Sequence, residues 1–307
     1  MARKRASSGL DGLVLVDKPA GWTSHDVVAK ARRLFGQPRI GHTGTLDPFA
    51  TGLLVLCLGQ ATRLAEYLTA HEKEYTGEVV LGIETDTADS DGEETRRAPV
   101  PDLGPADLER LAAAFTGRLA QVPPAHSAVK VGGQRAYALA RKGEAVELAP
   151  REVEVFTLEL AMAGRDRLTL RVRCGPGTYV RALARDIGRA IGCGAHLAAL
   201  RRTRSGPFRV GEAYTLEALE RLAAAGRAGD AVLPADEGML RWSAAILGAA
   251  GAGAFARGNP HRGGGFRAPA ALARVYDAAG SFLGVGSVDG AGMVRPVKVL
   301  RGESREI

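Results

Sequence analysis

The amino-acid sequence predicts an α+β protein in which a mixed, largely antiparallel sheet is followed by a small C-terminal β domain. Strand and helix patterns alternate along the first 230 residues, but several strand patterns, such as 153–160 and 168–174, are close enough in sequence to pair antiparallel. From about residue 231 the pattern changes to short, glycine-rich strands, as in a small β domain. A mixed sheet therefore fits the chain better than a doubly wound one.

The individual elements follow from hydrophobic periodicity and from turn residues. Thr23 and Ser24 can cap the first helix, and Tyr75, Gly77 and Val79 alternate on one side of a strand. In chain order we predict a strand at 13–16, a helix after Thr23, a loop over 41–52, a buried strand at 53–59, a helix near 61–68, a strand at 74–82, a helix at 106–115, a flexible insertion, strands at 153–160 and 168–174, and a helix at 178–191.

The charge distribution favours a polyanionic partner. The formal net charge is +7 and the isoelectric point is near 9.6, and Lys or Arg side chains gain affinity by releasing counterions from phosphates. Basic residues concentrate at 197–210, with four arginines and no acid, and from Arg241 onward, with nine Lys or Arg against four acids. The stretch 84–94 has six acidic residues and no basic one. Nucleic acid is the predicted partner, and a basic enzyme of another kind is the alternative.

Cysteine usage and hydropathy predict a cytosolic protein. Cys57, Cys174 and Cys193 are too few and too scattered for a disulfide framework or a metal site, so we expect reduced packing residues. No apolar run approaches the roughly 18 to 20 residues that span a bilayer, and the basic start lacks the apolar stretch of a secretory signal. We therefore expect no membrane segment and no metal.

Two motif-like stretches fail on inspection. "GQPRIGHT" has the spacing of a phosphate-binding P-loop, but His42 stands where the lysine belongs and the stretch follows a helix instead of a strand. If Gly92 in the acidic stretch is aligned with the invariant EF-hand glycine, Ala98 falls where a bidentate Glu must be. Nucleotide-phosphate and calcium sites are therefore not expected.

The stretch "GHTGTLDPFATG" raises the question of what an ionisable group does beside a core strand. Asp47 precedes a proline, which restricts its backbone, and flanking glycines let the chain approach a ligand closely. A turn-capping aspartate is the alternative on local sequence alone.

Five segments of the sequence decide between a ligand-binding and a turn-capping role for Asp47. They occur in the order "DKPAGWTSHDVV", "RIGHTGTLDPFATGLLVLCLGQATR", "KEYTGEVVLGIETDTADSDGE", "PPAHSAVKVGGQRAYALARKG" and "GTYVRALARDIGRAIGCGAHLAALRR". This series resembles the TruB family of tRNA pseudouridine synthases over nearly the whole chain. The resemblance implies that uridine 55 in the T loop of tRNA is converted to pseudouridine without metal or organic cofactor.

The resemblance also implies a domain plan. A basic tail would cover 1–9 and a pseudouridine synthase catalytic domain 10–230, with an inserted RNA clamp at about 120–150. A PUA-like RNA-binding domain would cover 231–307.

The family's functional residues carry over by position. The catalytic aspartate falls on Asp47, and Lys18 resembles the lysine that supports the catalytic loop. Active-site partners and a substrate-contacting leucine fall on His42, Tyr75, Tyr179, Arg181 and Leu200. Two positions depart from the family pattern: Pro176, where a polar residue is frequent, and His126, where an aromatic residue is.

The implied chemistry assigns roles to these residues. Isomerisation breaks the bond from C1′ to N1, turns the base and joins C5 to C1′, so one carboxylate can suffice as nucleophile or as stabiliser of a charged sugar. We expect Arg181 to pair with Asp47, because a guanidinium opposes the rise in pKa that desolvation causes. The base must be flipped out, and we expect Tyr75 to stack on it, Tyr179 to contact it or its backbone, and His42 to fill the vacated space.

The expected partner is the T stem-loop of tRNA, with no membrane and no obligatory protein partner. Phosphate contacts are expected from the clamp, at Lys130, Arg135 and Arg141, and from the basic stretch, at Arg201, Arg202 and Arg204. Two alternatives stay open. One is a subunit guided by a separate RNA, against which the "PPAHSAVK" clamp argues; the other is an RNA-binding chaperone without chemistry.

Overall fold

The computed structural model describes residues 9–124, 148–266 and 269–300, and the backbone alone of 130–131 and 134–135. Its helices are α1 Ser24–Leu34, α2 Ala65–Thr69, α3 Pro105–Ala114, α4 Val180–Ile191, α5 Leu216–Ala224 and α6 Ala249–Ala256. Its strands are β1 Gly12–Lys18, β2 Ile40–His42, β3 Thr51–Leu58, β4 Lys73–Leu81, β5 Ile83–Thr85, β6 Glu94–Arg97, β7 Gly117–Gln121, β8 Lys130–Val131, β9 Gln134–Arg135, β10 Arg151–Met162, β11 Arg167–Cys174, β12 Ala195–Ser205, β13 Phe208–Arg209, β14 Ala244–Leu247, β15 His261–Arg262, β16 Ala270–Asp277, β17 Phe282–Val288 and β18 Met293–Val299.

A large sheet organises the first part of the chain. Its main path runs β1-β3-β12-β4-β11-β10-β7, while β2 pairs with β3 and β13 with β12. Among the strands that the structure describes, the one parallel contact in this sheet joins β12 to β3, at Arg201–Thr51 and Arg202–Gly52. The sheet is therefore mixed and largely antiparallel, as predicted.

Helices cover one face of the large sheet in two groups. α3 and α4 pack on the β4, β10 and β11 half, where Leu168, Val172 and Leu183 form part of the core. α1 and α5 pack on β1 and β3, around Val16 and Leu54. The chain segment that links β2 to β3 contributes Leu46 and Ala50 to the first of these cores, which holds it in place.

A second sheet, in the order β14-β16-β17-β18-β15, forms the predicted C-terminal β domain. It has its own core around Phe255 and Val275. A further cluster, which includes Leu64, Met239, Val285 and Leu300, joins this domain to the segment beside α2. The α+β class predicted from the sequence is thus confirmed.

Several local predictions differ from the structure. The stretch 41–52 is not all loop, because β2 ends at His42 and β3 begins at Thr51. The helix near 61–68 is a 3₁₀ turn over Gly59–Leu64 followed by α2. The acidic stretch 84–94 lies within the β5–β6 hairpin. The sequence analysis predicts no strand at 195–205, although β12 is central to the large sheet.

Candidate active site

Asp47 lies in a tightly held segment between β2 and β3, which we call the Asp47 loop (residues 43–50). Ser24, at the first position of α1, accepts a hydrogen bond from Leu46 N at 2.8 Å and donates to Leu46 O at 3.1 Å. Lys18 Nζ donates to the carbonyl oxygens of Pro19, Trp22 and Pro48. The loop is thus fixed from β1 and from the start of α1.

The structure brings Asp47 and Arg181 together, as expected from the sequence. Arg181 Nε lies 2.9 Å from Asp47 Oδ2, and Nη2 donates to Oδ1 at 3.1 Å. This two-point geometry is the favourable one for guanidinium and carboxylate. The Asp47 side chain is 34% exposed while that of Arg181 is 6% exposed, so one carboxylate edge faces solvent above a buried cation.

A second carboxylate, which the sequence reasoning missed, holds the other side of Arg181. Asp89 Oδ2 lies 3.1 Å from Arg181 Nη1, which also donates to Thr87 O at 3.0 Å. Asp89 is buried, and its Oδ1 accepts hydrogen bonds from Thr87 Oγ1 and from Asp91 N. The signal is the acidic segment "TDTADSDG", which as a sequence pattern indicates charge but no partner for Arg181.

The protonation of Asp47 reflects opposing effects. Desolvation raises the pKa of the Asp47 carboxyl above its ordinary value, the charge of Arg181 opposes this, and the nearby Asp89 carboxylate adds to the rise. The charge of Arg181 therefore lowers the pKa of Asp47, as predicted. The rise in pKa caused by burial and by Asp89 is larger. The site holds two carboxylates on one guanidinium, and the charge of Lys18 also acts to lower the pKa of Asp47.

Tyr75 lies in β4 on the helix-covered face of the sheet, next to the Asp47 loop. It is 8% exposed, and the Arg202 guanidinium carbon lies 6.0 Å from the ring centroid. Burial raises the pKa of the Tyr75 phenol, so the hydroxyl stays protonated at neutral pH and does not suit the role of a general base. Leu200 is buried in the same core as Tyr75 and Leu46.

His42 and Tyr179 lie on two different elements, the first before Asp47 in the sequence and the second far after it. His42 ends β2, its Nδ1 accepts a hydrogen bond from Gly44 N, and its ring meets His25 edge to face at 5.6 Å. Burial, followed by the charges of His25 and Arg202, lowers the pKa of His42 to about 4, so its ring is neutral at physiological pH. Tyr179 is the N-cap residue of α4, two positions before Arg181, and is half-buried.

Arg202 requires a correction. It was expected to bind a phosphate, but it is 3% exposed and donates to Leu53 O at 2.7 Å and to Gly44 O at 3.0 Å. As a residue of the central strand β12, it faces the Asp47 loop instead of solvent. Lys18 is likewise fully buried, which fits the loop-supporting role.

The remaining sequence predictions lie at the margin of the site or outside the described residues. Pro176 is exposed in the turn before α4. The side chains of Lys130, Arg135 and Arg141 and the whole of His126 lie outside the described residues. Arg201 pairs with Asp17 through two contacts, at 3.0 and 2.7 Å, and is 41% exposed.

A cleft of about 880 Å³ adjoins the Asp47 loop at Phe49 and the start of β3 at Thr51, but Asp47, Tyr75 and Arg181 are not among its lining residues. It extends over the backbone and outward side chains of the central strands, including Thr76, Thr169 and Arg201. Within residues 9–124, 148–266 and 269–300, no three His, Cys, Asp or Glu side chains form a group that could hold a metal ion. None of the helices described is both long enough and apolar enough to span a membrane.

Comparison with known proteins identifies the family of this chain. Residues 32–180 match the model of the TruB family pseudouridylate synthase N-terminal domain, 181–239 match the tRNA pseudouridylate synthase B C-terminal domain, and 245–300 match the pseudouridine synthase II TruB C-terminal model. Among curated relatives, tRNA pseudouridine synthase B of Xanthomonas oryzae pv. oryzae is 46% identical over 294 residues, which is 95% of each chain. That of Stutzerimonas stutzeri is 43% identical and covers 98% of this chain and 99% of its own.

Solved structures share the fold. The structure of an H/ACA ribonucleoprotein bound to a substrate RNA containing 2′-deoxyuridine matches with a TM-score of 0.70 and 22% identity, covering 98% of this chain and 92% of that chain. An archaeal box H/ACA sRNP complex matches with a TM-score of 0.69 and 23% identity, covering 94% of this chain and 85% of that chain. At this identity the likeness concerns the fold alone. The family models and the near full-length relatives show that the chain belongs to the TruB family of pseudouridine synthases.

Proposed function

We propose that this protein isomerises uridine 55 in the T loop of tRNA to pseudouridine, with Asp47 as the nucleophile toward a flipped-out nucleoside. The observation that carries the proposal is the partly exposed Asp47 carboxylate, held at two points by a buried Arg181 in a TruB family chain. The tRNA relatives support the choice of substrate.

The geometry suits an isomerisation, in which the composition of the nucleoside is unchanged although one proton is exchanged with solvent. The bond from C1′ to N1 breaks, the uracil turns, C5 bonds to C1′, and the proton on C5 passes to solvent while N1 gains one. A carboxylate can carry the sugar or the base through this exchange as a covalent intermediate. Arg181 and Asp89 keep the Asp47 carboxylate oriented, so it needs no reorganisation when the nucleoside arrives.

The neighbouring side chains provide the surroundings for a flipped base. We propose that the flipped base stacks on the Tyr75 ring, which is 8% exposed and close enough to Asp47 for the two groups to interact electrostatically. A base stacked on an aromatic ring gains about 1 to 3 kcal/mol, which offsets much of the cost of flipping. The neutral His42 ring suits stacking within the RNA loop better than binding a phosphate. We propose that Leu200 and Tyr179 complete the wall of the nucleoside site.

The rest of the chain would hold the tRNA. We propose that the clamp, including Lys130, and the PUA-like C-terminal domain bind tRNA phosphates on either side of the T loop. No protein partner or guide RNA is needed in this proposal, and a cytoplasmic location follows from the substrate.

Purified protein, incubated alone with a tRNA transcript tritiated at C5 of uridine, tests this function. We expect release of one tritium per tRNA, no release from a transcript with cytidine at position 55, and no release by Asp47→Asn, which should still bind tRNA with a Kd within about threefold of wild type. An inactive wild-type protein would overturn the proposal and favour a guided enzyme or a chaperone. Loss of tRNA binding by Asp47→Asn would show that Asp47 is structural.

A further inference from the structure

The start of α4 depends on a side chain from a distant strand. Tyr179 is the N-cap residue of α4, with φ −99° and ψ 109°, and its own side chain makes no capping hydrogen bond. Instead, Gln121 Oε1 accepts a hydrogen bond from Tyr179 N at 2.8 Å, and Gln121 Nε2 donates to Tyr179 O at 3.1 Å. One side-chain amide thus satisfies both backbone groups of Tyr179, in the way that a neighbouring strand would.

Gln121 is well placed to act as a rigid support. It is the last residue of β7, is paired with Arg151 of β10, and is 3% exposed. A buried amide must satisfy its polar atoms within the protein, and both partners of this one lie on Tyr179, 58 residues away in sequence. The amide therefore has a single favourable orientation.

A second contact ties the same strand end to the same helix. Arg185, in the second turn of α4, donates from Nη2 to Val122 O at 2.9 Å. Together, Gln121 and Arg185 fix the first two turns of α4 against the end of β7. Arg181 lies between these two attachment points.

This placement matters because Arg181 makes several contacts at once. Its guanidinium meets Asp47 at two points and Asp89 and Thr87 at others, all between 2.9 and 3.1 Å. A shift of the helix start by about 1 Å would break some of these contacts, and misplacement of that size can cost about 100-fold in rate.

We propose that Gln121 is a positioning residue for the reaction, because its amide holds the backbone of Tyr179 and so sets where Arg181 presents itself to Asp47. This inference rests on the proposed function. Gln121 does not touch the reacting atoms; it acts through the start of α4.

The test uses the full chain, a tRNA transcript and single-turnover rates of pseudouridine formation, with tRNA Kd measured separately. Gln121→Met removes both hydrogen bonds at similar length, whereas Gln121→Glu keeps the acceptor for Tyr179 N and loses the donor to Tyr179 O. Gln37→Met is the matched control, since Gln37 is 8% exposed, lies after α1, and donates to Leu10 O at 2.9 Å.

We expect Gln121→Met to lower the single-turnover rate about 10- to 100-fold while the tRNA Kd stays within about threefold. Gln121→Glu should be intermediate, and Gln37→Met should keep the wild-type rate even where its Tm falls. In a double variant with Arg181→Lys, the Gln121→Met effect should largely disappear, because both changes disturb one unit.

The outcomes separate the two claims. A wild-type protein without activity overturns the proposed function, whereas an active wild type with a Gln121→Met rate within twofold of it overturns this inference alone. Equal losses of rate and tRNA affinity in Gln121→Met would also overturn it. So would a double variant whose loss of rate is the product of the losses in Gln121→Met and Arg181→Lys. If Gln121→Met does not fold, the rate of Gln121→Glu relative to Gln37→Met decides in the same way.

Discussion

At the scale of single residues, the site is organised by one guanidinium between two carboxylates. Arg181 is buried, and its contacts with Asp47 and Asp89 leave the group with a net negative charge. Asp89 has opposite effects on the reaction: it orients Arg181, but its charge also helps to raise the pKa of Asp47. The two effects can be separated by experiment.

Replacing Asp89 by Asn should slow pseudouridine formation about 10- to 100-fold, because Arg181 loses a charged partner and its orientation. The free energy of unfolding should fall by about 1 to 3 kcal/mol, the usual cost of losing a hydrogen bond to a charged group. Since the Asp89 charge raises the pKa of Asp47, its loss should move the acid limb of the rate profile to lower pH.

The matched control for that change is Asp91→Asn, which removes an exposed carboxylate from the same hairpin. Rates between pH 4 and 8 and tRNA binding would be measured for both variants. An Asp89→Asn enzyme with wild-type rate and an unshifted acid limb would contradict the assignment.

Lys18 gives a pH-dependent prediction on stability. Burial is the main reason that its pKa falls from 10.5 to about 8 in the folded protein. Between these values the unfolded chain binds more protons, so the contribution of Lys18 to the free energy of unfolding rises with pH, by at most about 1.4 kcal/mol per pH unit. The difference in unfolding free energy between wild type and Lys18→Met should therefore become more positive from pH 8 to 10.

Urea unfolding of both proteins at several pH values measures this difference. Other groups that titrate in the same range, such as Lys73, cancel in the subtraction. A difference that stays constant from pH 8 to 10 would mean that Lys18 keeps its proton through that range.

At the scale of elements, the contact between β3 and β12 builds the floor of the site. Gly52 has φ +98°, and a Cβ atom there would lie 2.3 Å from Arg202 O. The absence of a side chain lets the two strands approach, and Arg202 can then reach the carbonyl oxygens of Leu53 and Gly44. The alternation of a strand sends the adjacent Arg201 to the other face, where it pairs with Asp17.

Gly52→Ala should destabilise the protein by about 1 to 3 kcal/mol, because the added methyl group overlaps the Arg202 backbone and the positive φ is strained for alanine. Gly41→Ala is the control, since a Cβ atom there meets nothing within 4 Å. Denaturant unfolding compares the two variants. Equal stability would show that β3 and β12 do not need this close approach.

At the scale of the whole molecule, the C-terminal β domain packs on the 3₁₀ turn and on α2, which lie beside the large sheet. Met239 is 1% exposed in the cluster that joins the two parts. The Tyr67 and Trp242 rings meet edge to face at 5.2 Å, and Lys298 pairs with Glu66 at 2.9 Å. We expect the two parts to unfold as one cooperative unit.

Met239→Ala should lower the free energy of unfolding by about 2 to 5 kcal/mol, the usual cost of truncating a buried methionine to alanine. The variant should also show a separate unfolding transition for the C-terminal domain on heating. The adjacent Leu240 is 50% exposed, so Leu240→Ala should change the free energy of unfolding by less than about 0.5 kcal/mol. Calorimetry that shows one unchanged transition for Met239→Ala would contradict this view of the interface.

The sequence by itself determined the α+β class, the Asp47 loop and the pairing of Asp47 with Arg181. The class follows from periodicity of two or 3.6 and the loop from glycines around an Asp-Pro pair, whereas the pairing follows from the family resemblance and from the need to keep a buried nucleophile charged. The roles of the site residues and the domain boundaries remain predictions.

Only the tertiary structure decided how Asp89, Gln121 and Arg202 are used. Asp89 and Gln121 reach α4 from 92 and 58 residues away, so no local pattern signals the contacts. Arg202 lies in a run of arginines that is typical of a solvated surface, yet the central position of β12 turns that side chain inward. A charged residue on a strand faces water or the core according to what packs on each side of the sheet, and that depends on strand order, which one sequence does not show.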